Sequence, residues 1–163
     1  MSMIFNILRV SEAELDSYLK DSSRLEERLD SIEEGDASLV DIDQSWEGIL
    51  FLLTGQNLEQ LDHPLGKALF SNQQIDQQQD LGYGPAQYLT PDQVKELDKK
   101  LAAISAEDFR KGFDSDKMSE MGIHPNIWSQ DYALDYVSEY FESVQEVFAL
   151  ASKNDEAIIT FLN

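Results

Sequence analysis

The sequence predicts an α+β protein, a helix-rich single domain of residues 1–163 packed on a small sheet. Three observations support this prediction: β-rich segments lie near both termini, capped amphipathic helices lie between them, and no internal repeat or linker divides the chain. A chain of 163 residues has the usual length of one domain. It can bury roughly 68 to 70% of its unfolded surface.

The first 35 residues predict a strand followed by helix. Residues 3–10 are short and β-rich, which indicates the opening strand. Ser11 and Glu14 have the spacing of a capping box, so a helix begins after Ser11. The apolar pattern breaks at residues 21–23 and resumes until Gly35. Two helices, or one kinked helix, fit equally.

A short strand and an apolar helix follow. Residues 39–42 indicate the strand, and Asp43 or Ser45 caps a helix over residues 46–53 that Gly55 ends. That helix has a single charge, which predicts central core. Residues 56–85 are the least regular part of the chain. We interpret them as a plain connection in preference to a loop beside a pocket or interface.

The second half is mainly helical. Thr90, with proline after it and Gln93 three residues later, is a strong helix start. Ser105 begins another helix, and a shorter helical piece is expected around residues 117–121. Residues 157–162 indicate a closing strand.

The helix predicted over residues 131–153 has two opposite faces. At about 100° per residue, its apolar side chains fill one sector of about 80° and its carboxylates fill the opposite one. The carboxylates are Asp131, Asp135, Glu139, Glu142 and Glu146. No Lys or Arg lies between residues 131 and 152 to offset them. Such a face is either a solvated surface that aids solubility or a docking face for a basic partner.

The overall charge of the chain argues against some classes of function. The chain has 32 Asp and Glu against 12 Lys and Arg, a formal charge of −20. This excess argues against nucleic-acid binding, which requires cations at the phosphates, and against docking on an anionic membrane. No apolar run approaches the roughly 18 residues of a membrane span. The absence of cysteine and of a basic signal-peptide start fits a cytoplasmic protein.

Two carboxylates precede the apolar helix. On a strand, Asp41 and Asp43 would point to one face, where they could hold a divalent ion or act as an acid and base pair. We favour the simpler interpretation, in which Asp43 caps the helix and Asp41 is solvated or bonded locally.

Catalytic motifs are missing from the sequence. A zinc site would need His63 and His124 to converge with carboxylates from distant segments. There is no Gly-x-Ser-x-Gly elbow and no complete phosphate-binding fingerprint. We therefore assign no catalytic residue, metal site or cofactor, and lean against an enzyme.

The stretch DIDQSWEGILFLLTG (residues 41–55) resembles the signature of the YfbM-like family, bacterial domains of unknown function. The order and spacing of GYGPAQYLT (residues 82–90) and IHP (residues 123–125) are also similar to that family. The resemblance implies a compact α and β domain and no established activity. It also implies Lys, His and Arg where this chain has Gln44, Leu50 and Gln87, so a site shared by the family would be lost or altered here.

The leading hypothesis is a non-enzymatic protein whose acidic face binds a basic protein, most concretely a cytoplasmic immunity protein that neutralises a cognate toxin encoded nearby. The charge, the acidic helix face and the missing catalytic motifs support it. The five carboxylates of the last predicted helix are the expected contacts.

The alternative is an enzyme or small-ligand protein with a pocket between the Asp41–Trp46 turn and the Gly82–Tyr88 loop. Trp46, Tyr83 and Tyr88 would supply aromatic walls, and Asp41 and Asp43 the polar groups. We favour the competing interpretation, in which these aromatics are ordinary core residues.

Overall fold

A four-stranded antiparallel sheet organises the molecule, which we describe for residues 3–163 from a computed structural model. Its strands are β1 (Phe5–Val10), β2 (Leu39–Asp41), β3 (Gln87–Leu89) and β4 (Ala157–Leu162), in the spatial order β2-β1-β4-β3. The two central strands come from the two ends of the chain and pair along their full length. The predicted α+β class, with strands near both termini, is confirmed.

Seven α-helices and one 3-10 helix surround the sheet in the described part of the chain. The α-helices are α1 (Glu12–Lys20), α2 (Ser23–Ser31), α3 (Trp46–Thr54), α4 (Pro91–Ala102), α5 (Ala106–Lys111), α6 (Ser115–Glu120) and α7 (Ala133–Lys153). The 3-10 helix, Pro64–Ala68, lies in the segment that we expected to be irregular. Within residues 3–163, no helix combines the length and hydrophobicity needed to cross a bilayer.

Alternate side chains of the central strands enter two separate cores. On β4, Ile158 and Leu162 join the larger core with α3, α4 and α7, whereas Ile159 and Phe161 join a smaller core under α1 and α2. All six residues of β4 are buried. This explains why every residue of β4 except Thr160 is apolar and why the strand does not alternate with polar residues.

The helix before β2 is in fact two helices. The capping box of Ser11 and Glu14 is present. α1 ends at Lys20, and the side chain of the next residue, Asp21, accepts hydrogen bonds from Ser23. These local hydrogen bonds compete with helix continuation, which resolves the alternative that the sequence left open. α2 ends at Ser31, earlier than the Gly35 signal suggested.

The segment after the 3-10 helix covers the outer edge of β3. Ile75 donates a backbone hydrogen bond to Ala86, and Tyr88 donates one to Gln73. This pairing protects an edge strand that would otherwise present unpaired backbone groups. It also positions Gln73 beside Gln93 in the first turn of α4.

Gly48 of α3 leaves room for the ring of Trp128 in the larger core. A Cβ at this position would lie 2.3 Å from Cη2 of the Trp128 ring, which is itself 1% exposed. The indole nitrogen donates to the Ile123 carbonyl at 2.7 Å, which holds the ring against α3. Glycine is therefore required by space at this position.

We predict that Gly48→Ala lowers the free energy of unfolding by about 1 to 3 kcal/mol, because the methyl group overpacks the site. Urea denaturation measures the change. In a Trp128→Phe background the same substitution should cost less, since the smaller ring leaves room. An equal cost in both backgrounds would show that the Trp128 contact is not the cause.

Candidate functional site

The five carboxylates predicted to share a helix face are all exposed. We call Asp131, Asp135, Glu139, Glu142 and Glu146 the acidic face. Four lie on α7, and Asp131 precedes its first turn. The opposite side of α7 is buried against α3, α4 and α5, so the acidic face is held on a rigid element.

One cation from another helix offsets part of this charge. Arg110 of α5 lies 2.9 Å from the Asp135 carboxylate and also donates to the Ser138 hydroxyl. The sequence showed no Lys or Arg between residues 131 and 152, and tertiary packing supplies one from outside that range. Glu139, Glu142 and Glu146 form no ion pair within residues 3–163.

Two exposed apolar side chains flank the acidic face. Tyr132 is 55% exposed and Leu150 is 42% exposed. Eighteen residues separate them, so they fall at the same angle on the helix, about 27 Å apart along its axis. Aromatic and apolar groups beside charge are typical of protein interfaces.

Asp43 does not cap α3, so our favoured interpretation of this residue is wrong. Its backbone has a φ of 53°, and its carboxylate accepts a hydrogen bond from the Tyr136 hydroxyl at 2.7 Å. Ser45 occupies the cap position without a side-chain cap bond. Asp41 behaves as expected locally, since its carboxylate accepts from the Asp43 amide at 2.6 Å.

This turn brings two carboxylates beside α7. The Tyr136 hydroxyl also accepts from the Gln44 amide at 3.2 Å, so one side chain fixes both residues of the turn. Burial, and then the hydrogen bond to Asp43, raise the pKa of Tyr136. Burial followed by the charges of Asp43, Asp41 and Glu139 raises the pKa of Tyr140. Asp41 and Asp43 therefore extend the negative potential next to the acidic face.

Residues 11–43 hold a second group of carboxylates, and apart from Asp41 and Asp43 it is separate from the acidic face. α1 and α2 pack on one side of the sheet, and α7 packs on the other. The carboxylates of α1 and α2 therefore do not lie alongside those of α7.

Trp46 and the neighbouring Glu47 are buried. The Glu47 carboxylate accepts hydrogen bonds from the backbone amides of His124 at 2.7 Å and Leu58 at 3.0 Å. The His124 ring stacks on Trp46 with 5.4 Å between centroids, and its buried Nε2 has no hydrogen-bond partner among the described residues. Burial lowers the pKa of His124, and the Glu47 charge partly opposes this. These contacts join two distant segments.

The aromatic residues of the candidate pocket do not converge. Tyr83 packs against the larger core and Tyr88 against the smaller one, on opposite sides of the sheet. Trp46 is 2% exposed and meets the ring of Phe70 edge-on. The cavity beside Tyr83 holds about 30 Å³, room for one or two water molecules, whereas ligand pockets usually span about 300 to 1,000 Å³.

The described residues contain no group of three His, Asp or Glu side chains that could hold a metal ion. His63 is exposed, and its Nδ1 accepts from the Leu65 amide at the start of the 3-10 helix. His124 is committed to the Trp46 stack. The two histidines therefore serve separate local structures.

Comparison with known proteins places the fold in a family. A family model described as "Domain of unknown function (DUF1877)" matches residues 1–161. The chain belongs to this family. Among solved structures, this DUF1877 protein resembles the protein of unknown function YfbM from Escherichia coli, with a TM-score of 0.77 and 17% identity over 99% of this chain and 100% of that one. No curated protein matches the chain.

The YfbM-like resemblance drawn from the sequence is thus confirmed. The three positions at which this chain departs from the family pattern, residues 44, 50 and 87, have different surroundings. Leu50 is fully buried, and Gln44 belongs to the Tyr136-linked turn. Gln87 lies on β3, where its side chain accepts from the Asn72 amide. Within residues 3–163 no hydrogen bond joins these three residues, and the loss of a shared family site stays a prediction.

Sequence reasoning missed the contacts of Glu47, His124 and Tyr136. A single carboxylate in an apolar helix was a signal that Glu47 needs buried donors. Tyr136 gave no comparable signal, because its partners lie about 90 residues earlier in the chain.

We predict that Tyr136→Phe lowers the free energy of unfolding by about 1 to 2 kcal/mol, because Asp43 and the Gln44 amide lose their partner. Tyr140→Phe is the matched control. No hydrogen bond of the Tyr140 hydroxyl occurs within the described residues, so its removal should change stability by less than about 0.5 kcal/mol. Equal effects of the two substitutions in urea denaturation would show that the hydrogen bonds of Tyr136 to Asp43 and Gln44 do not stabilise the fold.

His124 should make stability depend on pH. Its folded pKa lies below the unfolded value of about 6.5, so the unfolded chain takes up a proton that the folded protein resists. The contribution of the neutral His124 to the free energy of unfolding is complete above about pH 6.5 and is lost as the pH falls towards the folded pKa. Urea denaturation between about pH 5 and pH 7.5 should give a flatter profile for His124→Gln than for the wild type.

His63→Gln controls for the loss of an imidazole, because His63 is exposed. Its profile should match that of the wild type. A His124→Gln profile as steep as the wild-type one would exclude this account.

Proposed function

We propose that this protein is a non-enzymatic binding protein whose acidic face engages a basic protein, most concretely as a cytoplasmic immunity protein that neutralises a cognate toxin. The observation that carries the proposal is the row of five exposed carboxylates, four on α7 and Asp131 just before it, over about 22 Å. A single cation, Arg110, pairs with this row in the described residues.

The geometry favours recognition of a protein surface. Tyr132 and Leu150 lie about 27 Å apart beside the row, a distance comparable with the width of a standard interface of about 800 Å² per partner. The two side chains are apolar anchors at the ends of the row, and the charges between them would orient the partner. Because α7 is packed along its opposite side, little ordering is needed on binding.

Charge would act mainly on the rate of encounter. A field of this sign raises the local concentration of a cationic partner and accelerates association, more than it raises intrinsic affinity. A toxin that acts on nucleic acid or another anion would bind that target through a basic surface. The acidic face is complementary to the same basic surface. Covering that surface would block the toxin.

The first test of the proposal is growth rescue. The immunity hypothesis expects a neighbouring gene that encodes a basic toxin. That gene would be expressed alone and together with this chain. We expect arrest of growth by the toxin alone and recovery with the wild-type chain. Absence of any such gene, or of any basic partner recovered by affinity capture from the producing cell, would overturn the immunity assignment.

A matched charge comparison tests the acidic face itself. One variant replaces all five acidic-face carboxylates with Asn or Gln. A control variant makes the same charge change on the other side of the sheet, at the exposed residues Glu12, Asp16, Glu27, Asp30 and Glu34. Stopped-flow binding to the captured partner at low salt should show association at least about tenfold slower for the first variant.

The control variant should associate within about twofold of the wild type, and added salt should shrink the difference. Equal slowing of both variants would mean that only net charge matters. In that case the acidic face is not the contact surface.

A further inference from the structure

A cleft of about 380 Å³ opens between the 3-10 helix, β3 and α4. This volume lies within the range of about 300 to 1,000 Å³ that is usual for small-molecule sites. The cleft shares no residue with the acidic face or with the Asp41–Trp46 turn.

α4 lines the cleft with one face. Gln93, Leu97 and Lys100 follow one another at steps of four and three, so they lie on the same side of the helix. The capping box of Thr90 and the proline at the first helical position fix where this helix begins. The register of the face is therefore set by local signals.

Two of the lining side chains, Gln73 and Gln93, form a pair of amides. The Gln73 side chain donates to the Gln93 oxygen at 2.8 Å, and the Gln93 side chain donates back at 3.1 Å. Gln73 also donates to the Tyr88 carbonyl, and the Gln93 oxygen also accepts from the Thr90 amide. Each amide nitrogen carries two hydrogens, so Gln93 keeps one donor beyond this pair.

Two lysines give the cleft a charge opposite to that of the whole protein. Lys67 comes from the 3-10 helix and Lys100 from α4, and neither forms an ion pair within residues 3–163, although the chain has 32 carboxylates. Glu96 also lines the cleft, which leaves a formal charge of +1 there. That balance matches a single negative charge on a ligand.

We propose that this cleft binds a small organic carboxylate. The carboxylate lies between the ammonium groups of Lys67 and Lys100, and the apolar body of the ligand contacts Leu89 and Leu97. The free amide hydrogen of Gln93 donates to a polar atom of the ligand. This activity is separate from recognition of a basic protein, because it uses a different surface and the opposite charge.

The test is a titration of the full chain followed by ¹H–¹⁵N NMR spectroscopy. The probes are benzoate, its neutral analogue benzyl alcohol, and phenyl phosphate. We expect saturable shifts with benzoate at the amides of residues 67, 73, 93 and 100, and no saturable shift with benzyl alcohol. Phenyl phosphate should bind less tightly than benzoate, because Glu96 opposes a second negative charge.

The Lys67→Gln/Lys100→Gln double variant should bind benzoate at least about tenfold more weakly. Lys20→Gln/Lys153→Gln makes the same charge change at exposed lysines outside the cleft and should bind within about twofold of the wild type. The spectra also report whether each variant is folded.

Four results would overturn the proposal. They are no saturable benzoate shift up to about 50 mM, shifts that map elsewhere, equal binding of benzyl alcohol, and equal weakening of both double variants. Tighter binding of phenyl phosphate would overturn the assignment to a carboxylate. None of these results bears on the acidic face, since no basic protein is present.

Discussion

The pairing of β1 with β4 is the contact on which the rest of the structure depends. It joins Phe5 to Leu162 at one end and Val10 to Ala157 at the other, so the two ends of the chain close the centre of the sheet. Since both strands are buried on both sides, helices must cover both faces. α1 and α2, which follow β1 directly, cover one face, while the later helices cover the other. The acidic face of α7 is therefore separated from most of the N-terminal carboxylates.

The features that the sequence predicted are those with local causes. The capping boxes at Ser11 and Thr90, the apolar run of β4 and the two faces of α7 each follow from residues a few positions apart. The Tyr136 contact to Asp43 and the Glu47 contact to His124 join segments that are 93 and 77 residues apart, and no local pattern encodes them. The sequence accordingly predicted the α-helices, the other three strands and the exposed carboxylates, but not β3, the 3-10 helix or how the turn before α3 is fixed.

Asp43 shows how a distant group overrides a local preference. An Asp shortly before a helix ordinarily caps it, because its carboxylate satisfies a free amide. Here the Tyr136 hydroxyl offers the carboxylate a donor at 2.7 Å, and the residue adopts a left-handed backbone. Asp tolerates this conformation better than most residues. The turn that carries Asp41 and Asp43 is thereby attached to α7 and adds its charge to that side of the molecule.

Stability does not account for the acidic face. Like charges four residues apart, at 135/139 and 142/146, each cost about 0.2 to 0.5 kcal/mol. An exposed ion pair such as Asp135–Arg110 stabilises the fold by a similar free energy. Burial of a single Val or Phe on the opposite side of α7 contributes about 1.5 to 3 kcal/mol, so the helix tolerates the face easily. Solubility does not require it either: without these five carboxylates the formal charge would be −15, beyond the magnitude of about 2 to 8 that suffices for a small domain. The proposed recognition of a cationic surface depends on the position of these carboxylates as well as on their number.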